Sequence, residues 1–146
     1  MKLSDIESLW SEDAKIDEMN LGNEALKISK LHAKYHSILN MEKMILHKQK
    51  TDLDKLSLLL ESYLAKTLTQ DELKSYGFPD YSEKKVLRTD FQKHIDTWPD
   101  VVDQKLKIGV QNDKITYLND IIKMIHNRNF AIKSAVDWAK FTNGAV

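Results

Sequence analysis

The sequence has no cysteine among its 146 residues, and only two prolines and four glycines. The lack of cysteine excludes disulfides, thiolate zinc sites and a cysteine nucleophile. Four scattered glycines cannot build a phosphate-cradling loop, and neither G-x-x-x-x-G-K-[ST] nor G-x-G-x-x-G occurs. The G-x-S-x-G and H-E-x-x-H signatures are missing as well. No excess of either charge exists: 22 basic residues balance 22 acidic ones, so any electrostatic site must come from local segregation. The longest apolar run, Leu58-Leu59-Leu60, is far too short to cross a bilayer. The opening residues carry no apolar run of the kind a secretory signal needs. The expectation is a soluble intracellular helical protein that does not hydrolyse nucleotides.

What remains is a chain that is 30% charged and almost free of helix breakers. That composition suits long solvated helices, so the expected class is all-α with long antiparallel helices. A first helix is expected from Ser4, which has capping-box spacing to Glu7. Residues 1–18 hold six carboxylates against Lys2 and Lys15. After a break at Asn20-Leu21-Gly22-Asn23, Asn23 is a candidate N-cap. From Glu24 to about Lys66, Leu31, Tyr35, Ile38, Ile45, Leu53, Leu56, Leu60 and Tyr63 mark one face of a helix roughly 60 Å long at 1.5 Å per residue. A rod of that length needs another long helix against it, in this chain or in a second copy.

Asp80 or Ser82 is expected to cap a shorter helix carrying Val86, Leu87, Phe91 and Ile95. Trp98-Pro99 ends it, and proline suits the first turn of the next. That last helix repeats in sevens. Val101, Ile108, Ile115 and Ile122 form one series, continued by Asn129 and Val136. Gln104, Gln111, Leu118 and Ile125 form the other, continued by Ile132 and Ala139. This seam either packs on the long second helix or joins subunits, and Gln104, Gln111 and Asn129 would set its register. Trp138 and Phe141 crowd the last turn, which favours a partner there.

Two local features invite a chemical reading. His32 and His36 are four residues apart on one helix, a spacing that chelates metal when a third ligand and an acid/base carboxylate are present. Packing or solvated histidines are the plain alternative. The second feature is charge. Residues 27–50 hold six lysines against Glu42 alone. On a helical wheel Lys27, Lys30, Lys34, Lys48 and Lys55 share one flank, a spacing able to track a phosphodiester backbone. Tyr35 and Tyr63 could stack on unpaired bases. The ridge is otherwise a solvated face, or is neutralised by the acidic first helix. A second basic group, Lys123, Arg128, Lys133 and Lys140, reads as the wet side of the last helix or a minor DNA contact.

Two strings carry a resemblance. The first runs through Trp10, Glu12-Asp13-Ala14-Lys15-Ile16-Asp17, Asn20-Leu21, Glu24, Leu26, Ile28 and Leu31-His32-Ala33-Lys34-Tyr35. The second runs through Asp120-Ile121-Ile122-Lys123-Met124-Ile125, Asn127-Arg128, Phe130, Ile132-Lys133, Ala135-Val136-Asp137-Trp138, Phe141 and Gly144. The chain resembles the UvsY family, recombination mediators of T4-type phages, in its cyanophage-like version. The resemblance implies a non-enzymatic protein of the infected bacterial cytoplasm. Such a protein binds single-stranded DNA and forms a ring-like homo-oligomer, a hexamer or heptamer. It helps a phage RecA-like recombinase displace the phage single-strand-binding protein. The implied division is a DNA-binding part at 1–79 and an oligomerisation part at 80–146. The implied oligomer contacts are Ile115, Leu118, Ile122, Ile125, Phe130, Ile132, Val136, Trp138 and Phe141. One departure stands out: a basic Lys-x-Arg pair of the family aligns here with Ser57 and Leu59. Tyr63 and Lys66 remain of that segment, and either contact shifts to the nearby Lys48, Lys50 and Lys55 or single-strand affinity is weak; the expected DNA contacts are Lys34, Lys48, Lys50, Lys55, Tyr63 and Lys66. The rival expectation is a non-catalytic helical oligomeric adaptor that binds only proteins; a small metal enzyme using His32 and His36 is a third.

Overall fold

The structure, a computed structural model, describes residues 1–144. Among them it is all-α: α1 (Leu3–Asp13), α2 (Leu21–Leu64), α3 (Gln70–Tyr76), a 3-10 turn (Arg88–Asp90), α4 (Phe91–Asp96) and α5 (Pro99–Thr142). The two long helices, α2 and α5, have 44 residues each and run antiparallel. The chain divides into two compact units, one joining residues 1–44 to the chain from Gln111 onward, the other spanning residues 45–110.

In the first unit α1 lies with the leading part of α2 and the trailing part of α5. Ile6, Tyr35, Leu39, Leu118, Ile121, Ile125 and Ile132 are buried there. Glu42 is buried among them. Its carboxylate accepts from Lys114 Nζ at 2.8 Å and from the Gln111 amide, whose nitrogen also donates to the Glu42 carbonyl at 2.9 Å. Desolvation pushes this carboxyl up, but the bonds from Lys114 and Gln111 outweigh it and hold it below its ordinary 4.5. Lys114 also donates to the Met1 carbonyl at 2.9 Å.

The second unit is centred on Leu60, Ile95 and Val101, with Leu53, Leu56, Leu64, Phe78 and Trp98 packed around them. Here Gln104 Nε2 donates to the Gln49 carbonyl at 2.9 Å. Gln104 and Gln111, polar positions of the seven-residue pattern, therefore bond across to the facing helix of their own unit. The facing side of α2 has the same alternating step of four and three: Tyr35, Leu39, Glu42, Leu46, Gln49, Leu53, Leu56, Leu60 and Tyr63. Ile45, expected on that face, is 40% exposed. The face turns through Glu42, whose carboxylate meets Lys114 and Gln111, and through Gln49, whose backbone carbonyl takes the Gln104 amide while its side-chain Oε1 is buried without a hydrogen-bond partner.

Several local expectations are corrected. Helix α1 begins at Leu3 rather than from a Ser4 cap, because the Asp5 carboxylate takes the Lys2 N–H at 2.9 Å. Helix α2 begins at Leu21, ahead of Asn23. The stretch after Asp80 is not helical until the 3-10 turn at Arg88. The unforeseen α3 has a capping box: Glu72 N–H donates to Thr69 Oγ1 at 3.3 Å, and Thr69 N–H to the Glu72 carboxylate at 2.8 Å. Gly77, at φ +71°, ends it in the left-handed conformation that glycine adopts freely.

Replacing Lys114 with Met leaves a buried carboxylate with one fewer counter-charge. Urea unfolding of Lys114→Met should show a loss of about 3–5 kcal/mol, and Glu42→Leu combined with Lys114→Leu should recover most of it. A Lys114→Met protein as stable as the parent would remove the pair from the core's energetics.

Candidate nucleic-acid interface

The cations of α2 fall into two groups. Lys27 pairs with Glu24 at 2.9 Å, and Lys34 pairs with Asp13 of α1. The acidic first helix therefore neutralises part of the ridge. Lys30, Lys43, Lys48, Lys50 and Lys55 are exposed and form no ion pair among the described residues. Lys48 and Lys55 are seven residues apart, almost two full turns, so they lie on one face about 10 Å apart along the axis. Tyr63 is half-buried; its ring stacks on Phe78 at 4.5 Å and on Tyr81 at 5.6 Å, with Trp98 edge-on at 6.0 Å. Lys66 follows α2 and donates to the Ser82 carbonyl.

Asp13 is the hub of a second arrangement. Its carboxylate accepts from Lys34 and from the buried Tyr35 hydroxyl, the latter at 2.8 Å. Burial pushes this carboxyl up, yet the bonds from Lys34 and Tyr35 prevail and hold it below its ordinary 3.8. Burial and the Asp13 charge push the Tyr35 hydroxyl well above its ordinary value. Trp10 meets Tyr35 edge-on at 5.4 Å. Arg128 reaches in from α5. Its Nη2 donates to the carbonyls of Asp13 at 3.0 Å and Ala14 at 3.1 Å, and its guanidinium lies 5.7 Å from the Trp10 ring centre. A cation on the last carbonyls of α1 satisfies acceptors the helix leaves open and complements its dipole. Arg128 is thus a buried structural residue, not part of a wet basic side.

The residues expected at the oligomer contact also separate. Ile115, Leu118, Ile125 and Ile132 are buried within the first unit, and Ile122 and Val136 are half-buried. Phe130, Trp138 and Phe141 stay 74%, 66% and 76% exposed. Trp138 and Phe141 face each other at 5.8 Å. The chain's own packing covers the apolar seam as far as Ile132, and the bare aromatics Phe130, Trp138 and Phe141 fall outside the two seven-residue series.

His32 lies 5.6 Å from His36 and 5.1 Å from His126, ring centre to ring centre. The His32 and His36 rings are near parallel. Among the described residues no group of three or more His, Asp or Glu is arranged to hold a metal. None of the described helices is long and apolar enough to cross a membrane.

Comparison with known proteins adds one result. The family described as "Recombination, repair and ssDNA binding protein UvsY" matches residues 9–145. The chain belongs to the UvsY family. No curated protein and no solved structure matches it significantly. The UvsY match takes in Trp10, Asp13, Tyr35 and Arg128, distant in sequence but joined around the end of α1. Sequence reasoning had Trp10, Asp13, Tyr35 and Arg128 within family strings without the bonds that connect them. It also missed Lys85 and Arg88, which the irregular stretch before α4 brings to the wall of a groove shared with Lys66.

Asp13 and Glu42 both have carboxyls held below their unfolded values of 3.8 and 4.5. Their contributions to stability are present above those values and are lost as pH falls through the lower folded values. Thermal melts should therefore stay level near neutrality and drop below about pH 4. Asp13→Asn should melt lower at neutral pH and show a smaller drop in acid. An equally steep acid drop in the variant would remove Asp13 as a contributor.

Proposed function

We propose that this chain is a recombination mediator. It binds single-stranded DNA as a ring-like homo-oligomer and helps load a RecA-like recombinase onto DNA covered by single-strand-binding protein. The observation that carries the reading is the UvsY match over residues 9–145. The exposed, unpaired lysines of α2 support its electrostatic part. Strand contact falls first on Lys48, Lys50 and Lys55, with Lys66 and Tyr63 at the end of the helix. Lys34 contributes less because Asp13 already matches its charge. DNA contact belongs to residues 1–79 and subunit contact to residues 80–146, where Phe130, Trp138 and Phe141 are the exposed anchors. Several weak ridges held in one assembly act on one strand together, which raises affinity without new contacts. Displacing a bound protein in this way needs no fuel of the mediator's own. The setting is the cytoplasm of an infected bacterial host.

The second reading is a helical adaptor that binds only proteins. Net charge of zero and the pairing of Lys27 and Lys34 favour it.

Oligo-dT titrations against rising salt separate the two. Each neutralised phosphate should steepen the log–log slope by about 0.7, and Lys48→Ala with Lys55→Ala should remove about 1.4 of it. A flat salt response favours the adaptor. Trp138→Ser with Phe141→Ser should lower the assembly mass in sedimentation and weaken DNA binding with it. An unchanged mass would move the subunit contact elsewhere.

A further inference from the structure

A groove of about 460 Å³ opens in the second unit, where the chain leaving α2 meets the stretch before the 3-10 turn. Lys66, Lys85 and Arg88 line it, with Leu64, Val86 and Phe91 as apolar wall, and no carboxylate is among its lining residues. Lys85 and Arg88 are exposed and unpaired among the described residues.

The walls are tied in place. The Tyr81 hydroxyl accepts from Leu68 N–H at 2.9 Å and donates to the Leu68 carbonyl at 3.1 Å. Lys66 donates to the Ser82 carbonyl beside it. These three bonds hold the 81–82 segment against the chain leaving α2. Lys66 itself is unusual: at φ +57° it sits in the left-handed region. It occupies the closing position of a helix C-cap, with Lys66 N–H on the Tyr63 carbonyl and Thr67 N–H on the Ser62 carbonyl, both at 3.1 Å. Glycine fills that position without strain, so a lysine there points to a use for its ammonium.

We propose that this groove is a phosphate-binding subsite for single-stranded DNA, with Lys66, Lys85 and Arg88 contacting the backbone. The inference rests on the single-strand reading above and places part of that contact beyond residue 79. Arg88 offers a planar fork of donors, and the two lysines supply point charges, a set that fits phosphodiester oxygens. The apolar wall keeps part of the groove poorly hydrated, so a bound anion is screened less than on an open face.

The test compares Lys85→Ala/Arg88→Ala with Lys74→Ala/Lys107→Ala, which removes equal charge outside the groove. Fluorescence anisotropy with labelled oligo-dT is read across a salt series. The groove pair should bind roughly tenfold more weakly, with a slope shallower by about 1.4, and the control pair should match the parent. Unchanged binding by the groove pair overturns the subsite and leaves the mediator reading standing. Equal weakening in both pairs reduces the effect to overall charge and also overturns it. No salt-dependent binding by the unaltered protein overturns both readings, and an acidic peptide then becomes the occupant to try. Lys66→Gly should keep or raise the melting temperature while binding oligo-dT less tightly. Full affinity in that variant assigns Lys66 to tethering the loop alone, against the proposal.

Discussion

The buried Glu42 charge in the seam between α2 and α5 must meet polar partners, and the fold is arranged around that requirement. A buried carboxylate left without a counter-charge is severely destabilising, whereas one bonded to an ammonium and an amide is tolerated. Glu42 meets Lys114 and Gln111 in the first unit. In the second, Gln104 finds the Gln49 carbonyl. Apolar residues at the other seam positions supply most of the burial, but leucine and isoleucine would accept many alignments. The polar contacts select one. Sliding either helix by a turn would strand the Glu42 charge against hydrocarbon.

The end of α1 shows the same economy with different chemistry. Its last carbonyls take the Arg128 guanidinium, and the Asp13 carboxylate takes Lys34 and Tyr35. One short acidic helix thereby joins both long ones within the first unit. The consequence for function is a redistribution of charge. Lys34 and Arg128 serve the fold, while Lys48, Lys50 and Lys55 in the second unit keep their charges exposed. A protein of zero net charge can in this way present a basic surface without a basic composition.

Helix α5 carries two kinds of apolar residue: those of the seven-residue pattern and the aromatics beside it. Its middle, at Ile115, Leu118 and Ile125, is consumed by the chain's own packing. Toward the C-terminus Phe130, Trp138 and Phe141 stand exposed on α5, off that pattern. Periodicity alone does not say whether the seam residues are covered by an intrachain helix or by another copy, because both impose the same spacing.

The all-α class, the extents of α2 and α5, the proline start of α5 and the family strings were legible in the sequence, because each depends on local propensity or on a repeat of three and four residues. The seam of α2 was partly hidden, since Glu42 and Gln49 interrupt its apolar pattern. The Thr69–Glu72 spacing is a signal for α3 that lies in the sequence without a hydrophobic run beside it. Other features needed the tertiary structure: that Arg128 is buried on the carbonyls of α1, that Lys34 is already paired, and that Lys66, Lys85 and Arg88 share a groove. Each of these depends on which distant segments meet. Charge and hydrogen bonding act through space over a few ångströms, and a linear sequence specifies neighbours only along the chain.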